Sequence, residues 1–372
     1  MKDTRKADAD NAQVVIHELN IRAVDRGKKD ILTWRNALNS AESVYNPDRV
    51  RLYDLYEDVV LDGHLSGIIA KRIDAVLNKE IYYEKDGRKV HAMDRLIHSL
   101  PFRKIVRTIL ETQLWGISAI EFVPGAQLAL HTIPRKHIKP EKGLITYEQT
   151  GNDGIGYKNL DNVWVLGEDR DLGLLLKCAP YAIYKRGGLA DWAEYIELFG
   201  QPVRIVKYDS YDEQTKMELR KALEESGSSL SLMLPKQADF EIMDGKQSNG
   251  DGNLQLSFIK SLNDEMSIII LGNTETTSSS NSAGYAQSKI HLEQQYEITR
   301  SDIAYTTALL NEPKFTAILR SYGYPAGDGG FVFSKDMDID YLTSRIAVDK
   351  EVATHISIPE SYWYDTYGIG EE

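Results

Sequence analysis

The sequence predicts an α+β protein, and three observations carry that reading. Long stretches towards both ends repeat apolar residues at three- and four-residue steps, as one-faced helices do. Between them, residues 118–176 break into short β-rich runs separated by Gly, Pro and Asn/Asp clusters. Residues 200–254 mix strand-like and helical runs and are bracketed by two strongly apolar helical stretches. At 372 residues, 42% hydrophobic and 27% charged, the chain has the length and balance of a soluble globular protein with a real core.

Taken in order, residues 1–50 read as a charged, weakly periodic arm with a short helix and Trp34 as its one large anchor. From Arg51 an apolar face runs through Leu52, Leu55, Tyr56, Val59 and Val60, then Leu65, Ile68, Ile73, Val76 and Leu77. EIYYEK reads as a strand ending in a turn at Asp86-Gly87, and Pro101 opens a second amphipathic helix reaching about Trp115. SAIEFV, LALHTIP, HIKP, GLITYEQ and NVWVLG are short strands. GNDGIG, with Gly151, Gly154 and Gly156, lacks the GxGxxG order of a nucleotide loop and reads as a turn.

Cys178–Phe199 reads as a helix apolar nearly all round, through Tyr181, Tyr184, Trp192, Tyr195 and Phe199 among others, which must be buried on several sides. Asp191, Glu194 and Glu197 fall in one narrow sector of it. Gly187-Gly188 should weaken or kink it, and Gly200 and Pro202 end it. The 200–254 segment then holds the strand PVRIVKY, a helix from a Ser210/Glu213 capping box to Glu225, the strands SLSLMLP and ADFEIM, and a loop, DGKQSNGDGN. Residues 255–271 resume an apolar helical stripe. A polar run follows, and then Tyr285, Leu292, Tyr296, Ile303 and Leu310 space out a helix of roughly 40 Å that stops at Pro313. The tail holds FVFSKDMDIDY, a helix from Leu342 to about His355, and SIPESYWYDTYGIGEE.

Charge and motifs narrow the function. With 44 basic against 56 acidic residues the net charge is −12, so the chain lacks the basic excess of a protein that grips nucleic acid. Contact with DNA should be loose or confined to small patches. The single cysteine, Cys178, excludes internal disulfides and Cys-based zinc sites and reads as a small buried hydrophobe. No apolar run approaches a membrane span and the polar start is no secretory signal, which suggests a cytosolic chain. GxxxxGK[ST], HExxH and GxSxG are all missing. His131 and His137 have no metal-site company. Asp336, Asp338 and Asp340 lack the glycine and terminal Glu of a calcium loop and read as a solvated strand face. Asp58, Asp62 and His64 could gather round a metal at a helix bend, but a helix surface and an end cap explain them more simply. No catalytic constellation stands out, so no enzyme, metal or cofactor is expected.

Several stretches resemble the Mu-like portal family of transposable phages: YEDVVLDGHLSGIIAKRIDAVL from Tyr56, WGISAIEFV from Trp115, HIKPEKGLITY from His137 and YKRGGLADWAEYIELFGQPVRI from Tyr184. ILGNTETTSSSNSAGYAQSKIHLE from Ile270, DIAYTTALLNE from Asp302 and the ending ISIPESYWYDTYGI belong with them. The order of elements is also that of a bacteriophage portal. The resemblance runs from about residue 50 to the C-terminus, which leaves little room for a crown.

It implies a portal fold with a mostly α-helical wing and stem, a small β-rich wing subdomain and an α/β clip. Residues 51–177 would be wing, 178–199 the first stem helix, 200–254 the clip, 255–271 the second stem helix and 272–285 the tunnel loop. Residues 286–372 would return to the wing. The function implied is a ring, a dodecamer in such families, at one capsid vertex of the virion, assembled in the host cytoplasm. Double-stranded DNA would pass through it, and terminase, the major capsid protein and a head-tail adaptor would be partners. The loop residues facing DNA would be Asn273, Thr274, Glu275, Thr276, Thr277, Ser278, Ser279, Ser280, Asn281 and Ser282. Asp191, Glu194 and Glu197 would face either the channel or a neighbouring subunit, while Tyr181, Tyr184, Trp192, Tyr195 and Phe199 would meet that neighbour. Acidic walls would disfavour adhesion of phosphate, so DNA would slide. A metal-dependent nucleic-acid-modifying enzyme and a monomeric intracellular adaptor are the two rival readings.

Overall fold

A computed structural model describes residues 15–27, 29–125, 127–199, 204–208, 213–225, 231–235, 253–274, 285–334 and 339–367. Helix α1 (Ile31–Ala41) starts at Asp30, whose carboxylate accepts the Thr33 N–H at 2.8 Å. The apolar run that follows divides into α2 (Val50–Val59) and α3 (Gly63–Leu77), with Asp62 capping α3 by accepting the Leu65 N–H at 2.9 Å. Strands β1 (Ile81–Lys85) and β2 (Arg88–Lys89) turn at Asp86-Gly87, where φ is 50° and 74°, the sign a two-residue hairpin turn requires. A short α4 (Asp94–Ile97) leads to α5 (Leu100–Trp115), capped by Ser99 with Pro101 in its first turn.

The β-rich part is two antiparallel three-stranded sheets. In one, β3 (Ile117–Val123) lies between β4 (Ala129–Ile133) and β8 (Val163–Gly167). The other runs β5 (Ile138–Lys139), β6 (Leu144–Thr146), β7 (Gly154–Gly156). The expected turn at GNDGIG is therefore half turn and half strand, since its last three residues pair with β6. The arm is strapped onto this part. Val15 is buried, and the buried Glu121 carboxylate on β3 accepts the N–H groups of Val15 and Ile16.

Helix α6 (Leu175–Phe199) begins three residues earlier than its periodicity suggests and runs unbroken through Gly187-Gly188. It also carries Pro180 inside it. Proline has no N–H, so the Leu176 carbonyl loses its helical donor. The indole Nε1 of Trp34 donates to that carbonyl instead, at 3.1 Å. The large anchor of the arm thus repairs the defect in α6. Trp34→Phe should cost about 1–3 kcal/mol, the range for leaving such a group unpaired, and a denaturant midpoint equal to wild type would disprove the repair.

Strands β9 (Arg204–Tyr208) and β10 (Ser231–Pro235) pair in parallel with α7 (Glu213–Glu225) as their crossover, a small βαβ unit. Ser210 and the ADFEIM strand lie outside the described residues. Helices α8 (Asn253–Leu271) and α9 (Tyr285–Leu310) follow. Pro313 does not close the helical region. It sits at the first position of α10 (Pro313–Ser321), which buries Phe315, Ile318 and Leu319. β11 (Gly330–Phe333) then joins β1, placing Phe333 opposite Ile81. The chain continues as α11 (Ile339–His355) and α12 (Glu360–Tyr367). Asp340 is in the first turn of α11, not on a strand face; Asp336 and Asp338 lie outside the described residues.

Aromatic packing ties the late elements to the early ones. Trp164 of β8 stacks on Phe315 at 4.8 Å, and Phe331 meets Tyr83 at 5.0 Å and Phe102 at 5.3 Å. Each buried phenyl ring contributes roughly 1.5–3 kcal/mol. Cys178 is fully buried in this core, which pushes its thiol up to about 12, so it is the inert hydrophobe its lone occurrence suggests.

Candidate channel and subunit-contact site

Helices α6 and α8, which flank the βαβ unit in sequence, run back along one another. Gly188 of α6 faces the Phe258 ring near the start of α8, where an added Cβ would lie 3.3 Å from the ring. That close approach accounts for a glycine in mid-helix. At the other end, Leu175, Cys178 and Ala179 share the core with Met266 and Ile270.

Three polar anchors hold this pair against the α2–α3 corner. Lys185 Nζ lies 2.8 Å from Asp62 Oδ2, and Arg186 Nη1 lies 2.8 Å from Asp58 Oδ2. His64 Nε2 lies 3.0 Å from the Asn263 carbonyl and 2.8 Å from Ser267 Oγ. The Asp58/Asp62/His64 trio is therefore three docking points, of which Asp62 is also an end cap. Its partners are two cations of α6 and, on α8, the Asn263 carbonyl and the Ser267 hydroxyl. Among the described residues, no group of three or more His, Cys, Asp or Glu could hold a metal ion.

Burial, then the nearby Lys185 charge, lowers the His64 pKa below 6.5, against the pull of the Asn263 carbonyl, Asp62 and Asp264. The unfolded chain therefore binds the proton more readily. The stabilisation from neutral His64 is complete above about pH 6.5 and is lost as pH falls towards the folded-state value. Melting temperature should fall more steeply between pH 7 and 5 in wild type than in His64→Asn. Parallel curves would show that the contact does not titrate.

Beyond the anchors, α6 and α8 stand out from the chain's own core. Tyr184, Leu189 and Ile196 on α6, with Leu254, Leu256, Phe258 and Ile268 on α8, are 43% to 63% exposed. Within the single chain, the described side chains of α6 that are buried all lie in its first half. Tyr181 and Trp192 are half-buried, while for Tyr195 and Phe199 only the helical backbone is described. Asp191, Glu194 and Glu197 are all exposed, and steps of three place them within about 120° of helix circumference.

The polar segment is described at its start. Gly272 ends α8 with φ of 74°, donating its N–H to the Ile268 carbonyl at 2.9 Å. That left-handed position suits glycine, and an added Cβ would meet Ile298 of α9 at 2.8 Å. Ile298 lies roughly four turns along α9, so the ends of the segment are held roughly 20 Å apart. Asn273, expected to face DNA, is 3% exposed in the single chain and sits at the root of the segment. Thr274 is half-buried, and Glu275 to Ser282 lie outside the described residues.

The wider arrangement was not expected from the sequence. Arg72 of α3 pairs with Asp302 of α9 through two 2.8 Å hydrogen bonds, Nε to Oδ2 and Nη2 to Oδ1. Lys185 and Arg186, two cations inside an otherwise greasy stretch, were the one visible hint of such anchoring.

The profile of one protein family, described as the portal protein of Mu bacteriophage, matches residues 53–369. Among curated proteins, the chain is 23% identical over 200 residues to the Mu-like prophage FluMu protein gp29 of Haemophilus influenzae. That stretch covers 52% of this chain and 38% of the relative, well under half of the relative's length. Among solved structures, a chain from the neck of an empty GTA particle computed with C6 symmetry superposes with a TM-score of 0.57 at 11% identity, covering 85% of this chain and 94% of that one. An HK97 family phage portal protein from Corynebacterium diphtheriae gives a TM-score of 0.44 at 11% identity, over 78% and 97% of the two chains. At these identities the likeness to the neck chain is one of fold.

Proposed function

Since the chain belongs to the family of portal proteins of Mu bacteriophage, we propose that it closes into a ring at one capsid vertex of the virion. In this reading α6 and α8 are the stem, residues 200–254 the clip, and the polar segment after Gly272 a tunnel loop facing the channel. Residues 51–177 and 286–372 form the wing. Double-stranded DNA enters and leaves through the ring, the clip receives the packaging motor, and capsid and tail-side proteins attach around it. The role is structural.

One observation carries the proposal. A helix pair fixed to its own chain by ion pairs from α6 and hydrogen bonds to α8 carries large, exposed apolar side chains on both helices. Apolar surface concentrated in this way on a rigid element marks a surface for another protein. In a ring, the neighbouring subunit supplies the cover on both sides. The acidic sector of α6 then suits a wall along which a polyanion moves without adhering. Twelve subunits would carry twelve times the chain's net charge of −12.

Negative-stain imaging of the purified protein tests the reading. Rings with a central hole are expected. A homogeneous single-chain mass of 42.1 kDa at micromolar concentration would favour the monomeric adaptor instead.

A further inference from the structure

We propose that Arg72 is the positioning residue that fixes the root of the polar segment to the body of the protein. This rests on reading that segment as the tunnel loop, but the device itself is testable without DNA.

From its own helix, one guanidinium reaches three others. From α3, Arg72 donates to both oxygens of Asp302 on α9, each at 2.8 Å. It also donates Nη1 to the Ile270 carbonyl at 2.9 Å, and Nη2 to Gln113 Oε1 on α5 at 3.2 Å. Ile270 is in the last turn of α8, where a carbonyl has no helical donor left. A cation is also favoured at that end by the helix dipole. Arg72 therefore caps α8 immediately before the segment begins.

The surroundings make the cap rigid. Asp302 is 2% exposed and Arg72 13%, so the pair lies out of water, and only a planar fork can serve the carboxylate and a carbonyl together. Gly272 packs on Ile298, one turn of α9 before Asp302, and Asn273 is buried. A displacement of α9 relative to α3 and α5 would thus be passed to the first residues of the segment. Force on the segment would pass the other way, into the helices of the body.

Hydrogen exchange of the assembled protein tests this. Arg72→Met alone would strand a buried carboxylate and endanger folding, so the decisive variant is the double Arg72→Met/Asp302→Leu, which removes both charges together. It is expected to fold, with amide exchange at Ile270, Leu271 and Gly272 accelerated about tenfold or more. Exchange in β3 and the middle of α5 should stay unchanged. Arg72→Lys should show the same local acceleration, because an ammonium has three donors and no planar fork for four acceptor atoms on three helices. Unchanged exchange at 270–272 in a folded double variant would overturn the proposal. So would a uniform acceleration across α3, α5 and β3, which would mark the pair as general core stability. If the root loosens as expected but DNA passage is unaffected, the latch stands and the tunnel-loop reading falls.

Discussion

Chains carrying Ile196→Asp or Leu189→Asp are expected to stay folded and fail to close a ring. Both side chains lie on α6 and are about half exposed in the single chain, so an aspartate there meets water and leaves the core untouched. In the proposed ring those positions would be covered by the neighbour. A carboxylate buried without a partner costs several kcal/mol. The cost recurs at every interface of a closed ring, and ~3 kcal/mol at each already lowers subunit affinity by about a hundredfold. Circular dichroism and thermal melting should match wild type, while native mass spectrometry shows single chains and short open fragments. Intact rings from either variant would show that α6 does not meet a neighbouring subunit. Trp192 is a poorer probe, because it is half-buried within its own chain and an aspartate there would disturb folding as well.

Placing lysine at Thr276, Ser279 and Asn281 is expected to stall DNA while leaving rings intact. The polar run contributes Ser, Thr and Asn with a single Glu275, which offers replaceable hydrogen bonds and no cationic grip. Three added charges per subunit, repeated around a ring, would contact phosphates and release counterions, so DNA would be held rather than passed. The effect should be a severalfold slower packaging rate at low salt, relieved steeply as salt rises, since each phosphate contact adds nearly one unit to the salt slope. A rate equal to wild type across a range of salt would mean that the segment does not touch DNA. In the same assay, Arg72→Lys separates the effect of charge on the segment from that of a loosened root.

Much of the architecture was legible from local pattern. The alternation in SAIEFV and NVWVLG, Pro101 at a helix start, the end cap in the Asp58–His64 stretch, and the period of the two apolar helices all belong to neighbours within a few residues, where backbone geometry acts. The same holds for the βαβ order of residues 204–235, although parallel pairing of β9 with β10 was not foreseen. Helix α10 was missed because Pro313 reads equally well as a stop and as a first position; the spacing of Phe315, Ile318 and Leu319 was the signal that decided it.

By itself the sequence determined the long helices and the short strands of the β-rich part, that the chain is acidic, and that a polar run follows the second apolar helix. Only the tertiary structure decided what those elements do to one another. It set Trp34 on the carbonyl that Pro180 leaves open, split Asp58 and Asp62 between Arg186 and Lys185, and placed Arg72 against Asp302. It also showed that the greasy helix leaves apolar side chains uncovered, and that Asn273 belongs to the root of its segment. Periodicity registers the contrast between one helix face and the other over a few turns. A hydrogen bond between residues a hundred or more positions apart leaves no such trace, because its partner is chosen by how whole elements pack.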